Sequence, residues 1–270
     1  MSPTAVPLAA EIEAIGLLGP GIDGWPQGRG VLRGSAPYLR QSTLIPVSTT
    51  LPPAERRRAA RVVNLALAVG HEATANSDID LTDLPTVFAS SVGDSNNCHE
   101  LLQTLATADR QVSPTRFHNS VHNVTAGYWS IATRDTASYT MVCAYDGSFA
   151  AGLVEALSLV VTDQSKVMLV AYDMDYPTPL REKRSIVNAF AIALLLRPTP
   201  APGGLARLSC SFSSEPAAKM RRPEFESLRL SAPAARALPL LELIAFDQPA
   251  ATNLEYLENL SLSTIVTPCT

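Results

Sequence analysis

Residues 165–173 read SKVMLVAYD, and nothing charged interrupts Val167–Tyr172. A strand that is apolar at every position, not at alternate ones, must be covered on both faces of its sheet. That demand restricts the chain to a sheet held between layers of helices. SIVNAFAIALLLRP (185–198) makes the same demand. The helices are at hand. AERRRAARVVNLALAVGHEATA (54–75) follows Pro53 and repeats Val62, Leu65, Ala66 and Val69 at helical spacing. GSFAAGLVEALSLVVT (147–162) carries alanines and a glycine suited to close packing, and NNCHELLQTLATADR (96–110) reads as another helix. SPTRFHNSVHNVTAGYWSIAT (113–133) is expected to be a loop that enters a helix near 119–132.

Further strands are expected in AEIEAIGLLGPG (10–21), PTVFASSVGD (85–94), ASYTMVCAY (137–145) and GLARLSCSFSS (204–214). The order is β, α, β, α, α, β, α, β, β, β: an α/β fold with a mixed central β-sheet and helices on both faces. Residues 24–53 are rich in Gly and Pro and are expected to be mostly irregular. One domain is expected over 1–214. Residues 215–270 read as a tail packing on it or on a partner, with a short helix in RALPLLELIAF (236–246) and the last twenty residues as an extended arm.

The chain of 270 residues is 46% hydrophobic and 17% charged, which favours a large core or surface covered by a partner. A net charge of −4 argues against nucleic acid as the main partner. Cys98, Cys143, Cys210 and Cys269 have neither C-x-x-C nor metal spacing and read as free thiols of a cytoplasmic protein. The N-terminus lacks the basic region of a signal peptide, and no apolar run reaches the length of a membrane span.

Several residues invite chemistry and have plainer readings. Arg56, Arg57, Arg58 and Arg61 fit a solvated helix face better than an anion site. His118 and His122 lie four apart, as zinc ligands do, but lack the intervening glutamate; packing near a subunit contact is the preferred reading. YDMDYP (172–177) holds two acids, expected to be exposed in a loop after a strand. Cys143 falls in an apolar run and is expected to be buried and inert. Ser148 has no local base. No metal and no cofactor is expected.

VCAYDGSFAAGL (142–153) joins a strand to a helix, a junction that often presents a nucleophile. Together with Ser113-Pro114, Asn123, Ala126-Gly127, Ser130-Ile131 and Glu155-Ala156, it resembles the amino-terminal half of the β-ketoacyl synthases, which have the thiolase-like fold. VFASSVGD resembles the family's earlier strand and turn. The resemblance covers roughly residues 10–212 and is narrowest to the short chain-length-factor subunits of aryl polyene biosynthesis. It puts Asp146 at the nucleophile position. A carboxylate is a far weaker acyl nucleophile than a thiolate, and an aspartate here suits a helix N-cap. The family's two catalytic histidines belong to a second half that this sequence does not extend to, and His71, His99, His118 and His122 all precede the elbow.

The resemblance therefore implies half of a thiolase-like fold with no catalytic residue. Such a subunit would form a heterodimer with a full-length β-ketoacyl synthase, meet acyl carrier protein through that complex, and shape the partner's acyl tunnel in polyene or fatty-acid-like biosynthesis. The expected interface and tunnel residues are Phe117, His118, His122, Asn123, Tyr128, Trp129 and Tyr145. Two alternatives remain open: a residual malonyl-thioester decarboxylase using Asp146, and a stand-alone acyl-binding or scaffold protein.

Overall fold

The computed structural model describes residues 8–201 and 203–269. In chain order the elements are β1 (Leu8–Gly19), β2 (Ile22–Asp23), α1 (Trp25–Arg33), α2 (Pro53–Arg58), α3 (Arg61–Thr74), β3 (Thr86–Ala89), α4 (Ser95–Leu105), α5 (Pro114–His118), α6 (Val124–Thr133) and β4 (Tyr139–Val142). There follow α7 (Ser148–Asp163), β5 (Val167–Asp173), α8 (Thr178–Arg181), β6 (Phe190–Arg197), β7 (Ala206–Ser213), α9 (Pro223–Ser231), α10 (Leu238–Phe246), β8 (Ala250–Leu257) and β9 (Leu260–Pro268).

The strands form one mixed nine-stranded sheet in the order β4-β3-β5-β6-β1-β7-β9-β8, with β2 paired to β1. Strands β4, β3 and β5 run parallel, so their C-terminal ends lie together; β6 returns antiparallel to β5. The apolar runs behave as their composition requires. Val167, Leu169 and Ala171 of β5 enter one core with α7, while Met168, Val170 and Tyr172 enter a second core with α3. In β6, Phe190, Ile192, Leu194 and Leu196 face the first core, and Ala191, Ala193 and Leu195 the second. Each fully buried Leu, Ile or Phe side chain contributes roughly 1.5–3 kcal/mol. Helix α7 lies close on the sheet: a Cβ on Gly152 would stand 2.7 Å from that of Ala89.

Residues 24–53 are mostly irregular, as expected, apart from α1: Trp25, Gly28, Val31 and Leu32 bury one of its faces, and Pro26 sits in its first turn, where proline is tolerated. Three other expectations need correction. The expected helix over 54–75 breaks at Ala59 and Ala60, both extended, and the Arg58 carbonyl accepts instead from Asn119. The helix expected near 119–132 begins later, at Val124, after the separate turn of α5. The last twenty residues are extended, as expected, but as a hairpin within the sheet and not as an arm: β9 pairs along β7, and β8 pairs with β9.

Candidate functional site

The site lies at the C-terminal ends of the three parallel strands, where α/β sheets commonly bind ligands. Ser90 and Ser91 leave β3, Cys143–Asp146 leave β4, and Asp173–Tyr176 leave β5. Strand β4 stops at Val142, and a single 3-10 turn, Tyr145–Gly147, hands the chain to α7. Tyr145 takes a φ of +53°, a conformation unusual for a bulky side chain, and this makes the bend sharp. The Ser148 hydroxyl braces it, accepting from Ala144 N at 3.0 Å and donating to Tyr145 O at 2.8 Å.

Asp146 does not cap α7, contrary to the sequence expectation; the N-cap position is Gly147, with no side-chain cap. Its carboxylate turns instead to two arginines. Oδ1 accepts from Arg184 Nη2 at 2.6 Å, and Oδ2 lies 3.5 Å from Arg236. Two guanidiniums outweigh the partial charge of a helix end, and Arg236 is only 7% exposed, so its charge needs carboxylates beside it.

From these arginines two networks run inward. Arg236 reaches Glu255 of β8 at 2.9 Å; Glu255 also accepts from Arg229, which is held by Glu226. The hydrogen bond from Arg236 to the Arg229 carbonyl closes this ring. Arg184 donates to the Tyr176 hydroxyl at 2.9 Å, which lies 3.4 Å from the Ser91 hydroxyl. Ser91 donates to Asp173 through both its hydroxyl, 2.7 Å, and its backbone N–H, 2.9 Å, and Ala234 N–H donates to the other oxygen. Burial pushes the Asp173 carboxyl up to about 6, against the pull of these hydrogen bonds.

Asp173 is therefore not one of two exposed loop acids: it is buried and ties β3 and the segment before α10 to β5, while Asp175 lies 3.7 Å from Arg61. Cys143 is also corrected. It is exposed, since β4 ends one residue before it, and its Sγ donates to Ser91 O at 3.1 Å.

The expected interface residues divide into two groups. Tyr128 and Trp129, each 1% exposed, pack in this chain's own second core. Trp129 fills the space beside Gly70 of α3. Phe117 is 69% exposed and Tyr145 62%, and His118 and Asn123 are exposed as well. The Asn123 side chain donates to the Tyr139 hydroxyl, and His122 lies half-buried beside Gly93. Among the described residues no histidine bonds to Asp146, and no three His, Cys, Asp or Glu side chains gather as a metal site.

Sequence reading missed Arg184, Arg236, Glu255 and Tyr176. Arg236 did leave a signal: a lone charge inside APAARALP must be paired if that run is buried. Beside the elbow opens a cleft of about 940 Å³, walled by Tyr145, Asp146 and Gly147 on one side and by residues 214–217 and 255–261 on the other.

No curated protein matches this sequence. The fold is that of solved ketosynthase-type chains. A ketosynthase in complex with its chain length factor from Xenorhabdus doucetiae superposes with a TM-score of 0.72 at 22% identity, over 95% of this chain and 99% of that one. The ishigamide ketosynthase/chain length factor gives 0.73 at 13%, over 97% and 100%. A type II polyketide synthase acyl-carrier protein complexed with its ketosynthase gives 0.73 at 9%, over 96% and 99%. At these identities the likeness is one of fold. Among the described residues no helix is long and apolar enough to cross a membrane. The family model for the β-ketoacyl synthase N-terminal domain matches residues 33–249, and the chain belongs to that family.

Proposed function

We propose that this chain is a non-catalytic, chain-length-factor-like subunit that pairs with an active β-ketoacyl synthase and helps to shape its acyl tunnel. The observation that carries this reading is the state of Asp146. At the position the resemblance gives to the family's nucleophile this chain carries Asp146, and both its oxygens are engaged, by Arg184 and Arg236. A carboxylate so engaged is poorly placed to attack a thioester or to manage the enolate of a malonyl decarboxylation, which counts against the decarboxylase alternative.

The pairing surface follows from the sheet. Among the described residues strand β4 is an edge, paired with β3 alone. Exposed Val92, Phe117, Val121, Ile131, Tyr139 and Tyr145 come from the elements around it. An open strand with this much apolar surface is a liability unless a partner covers it, which counts against a stand-alone module. Structures with this fold include ketosynthases complexed with chain length factors, which makes a full-length β-ketoacyl synthase the partner of choice. An obligate interface of this kind buries ~2,000 Å² or more. Acyl carrier protein would be met through the complex. Four free cysteines fit a reducing cytoplasm.

Co-expression with a full-length β-ketoacyl synthase of the same genome, followed by size-exclusion chromatography, tests the reading. A one-to-one complex that elongates acyl-carrier-protein thioesters is expected. A monodisperse monomer that ignores the synthase would refute it.

A further inference from the structure

We infer that Tyr145 is the side chain with which this chain anchors its partner, and that Asp146, through Arg184, is the residue that positions it. The inference rests on the heterodimer proposed above and adds a named contact to it.

Tyr145 stands three residues past the end of the free edge strand β4. At its positive φ the residue is 62% exposed, on the rim of the cleft beside the elbow. An exposed tyrosine ordinarily samples several rotamers and loses that freedom on docking. This ring is held in advance. The Arg184 guanidinium lies 3.7 Å from its centroid, covering one face. Arg184 is itself fixed at two points, by Asp146 at 2.6 Å and by the Tyr176 hydroxyl at 2.9 Å. Tyr176 is buried, so the platform under the ring is anchored in the core. Pre-organised aromatic rings of this kind are what protein interfaces use as hot spots.

The surroundings specify the partner's chemistry. One ring face already carries a cation, so the open face suits an apolar side chain better than a second positive charge. Near the ring Cys143 bonds to Ser91 beside exposed Val92, and at the opposite end of β4 Asn123 links exposed Tyr139 to the start of α6. The occupant is thus an apolar pocket of the β-ketoacyl synthase next to whatever strand lies along β4. On this reading the residue at the old nucleophile position has become a positioning residue. Without the Asp146 carboxylate, Arg184 loses one of its two tethers and the ring its platform.

The test measures the affinity of the purified chain for the purified synthase. Tyr145→Ala should weaken binding about tenfold to a hundredfold, and Tyr145→Phe, which keeps the ring, should bind as wild type does. Asp146→Asn, nearly isosteric, should lose part of the affinity, and in the Tyr145→Ala background it should lose nothing more. A role in folding alone would shift melting temperature in both backgrounds and leave this coupling at zero. If Asp146→Asn does not fold, Arg184→Lys takes its place, keeping the charge without the flat guanidinium. Wild-type affinity in Tyr145→Ala, or an equal loss from Asp146→Asn with and without the ring, overturns the proposal. A wild-type chain that does not bind removes the heterodimer itself, and this anchor with it.

Discussion

The carbonyl oxygen of Tyr256 occupies the space beside Gly147 where a side chain would begin; a Cβ there would lie 1.9 Å from it. The last hairpin is thus seated directly on the elbow, backbone against backbone, and Glu255 in the same strand reaches the arginine that pairs with Asp146. Backbone cannot move aside as the end of a flexible side chain can.

Gly147→Ala should therefore cost ~3 kcal/mol, at the upper end of overpacking penalties. Urea unfolding of the purified chain, alone or in complex, measures it. A loss below ~0.5 kcal/mol, the usual effect of a surface change, would mean that β8 is not held against the elbow.

Asp173 predicts a pH dependence. Buried, it holds its proton up to about pH 6, while the unfolded chain releases it near 3.8. Its contribution to stability is complete below ~4, and is lost as pH rises through about 6. The gap between these two values corresponds to about 3 kcal/mol. Glu226 runs the other way, held low by its bonds to Arg229, so its contribution fades as pH falls. Comparison with Asp173→Asn isolates the aspartate. The stability of wild type relative to this variant should be greatest near pH 4 and shrink toward pH 7.5, measured by urea unfolding across the range. A difference that is flat or grows with pH would show that the hydrogen bonds from Ser91 and Ala234 outweigh burial.

These relationships differ in how far the sequence exposes them. The two-faced core was legible because Val167–Tyr172 and Phe190–Leu196 contain no polar residue to mark an outside. The elbow was legible because β4, Asp146 and α7 are contiguous in the chain. Helix α1 was hidden by its own Gly and Pro, which mark turns elsewhere yet fit a first turn and a tightly packed face here. The β8–β9 hairpin does carry alternation, with Leu254, Leu262 and Val266 inward. Its place beside β7, however, depends on pairings across some fifty residues, such as Cys210 with Thr264. The arginines on Asp146 come from 38 residues away and beyond, and no local pattern records such an ion pair.

Cysteine chemistry gives a separate check. Cys98 and Cys143 are exposed, Cys269 half-buried and Cys210 buried, its thiol pushed by burial up to about 11. A maleimide should modify Cys98 and Cys143 quickly in the isolated chain, and Cys210 only on unfolding. In the complex Cys143, one residue past β4, should be protected while Cys98 stays reactive, because only the former borders the proposed interface. Intact-mass and peptide mapping resolve the two. Equal labelling of Cys143 with and without the synthase would place the interface elsewhere.

The last prediction separates packing from contact within one segment. Trp129 is buried against α3, where it lies beside Gly70 and meets the His71 ring at a tilt, centroids 5.2 Å apart. Phe117, twelve residues earlier, has no such cover. Trp129→Ala should cost ~3–5 kcal/mol, since it removes the largest side chain of that core and leaves a cavity. Phe117→Ala should leave the stability of the isolated chain within ~0.5 kcal/mol of wild type. If Phe117 faces the synthase, its loss should instead weaken the complex or lengthen the product, because added methylenes gain about 0.8 kcal/mol each wherever burial space opens. Unfolding curves of the isolated variants, assembly by size-exclusion chromatography and product mass distributions separate these outcomes. A Phe117→Ala complex with wild-type assembly and wild-type products would take this residue out of both the interface and the tunnel wall. The proposed contact with the synthase would then rest on the surface of β4 and the turn after it, at Tyr139 and Tyr145.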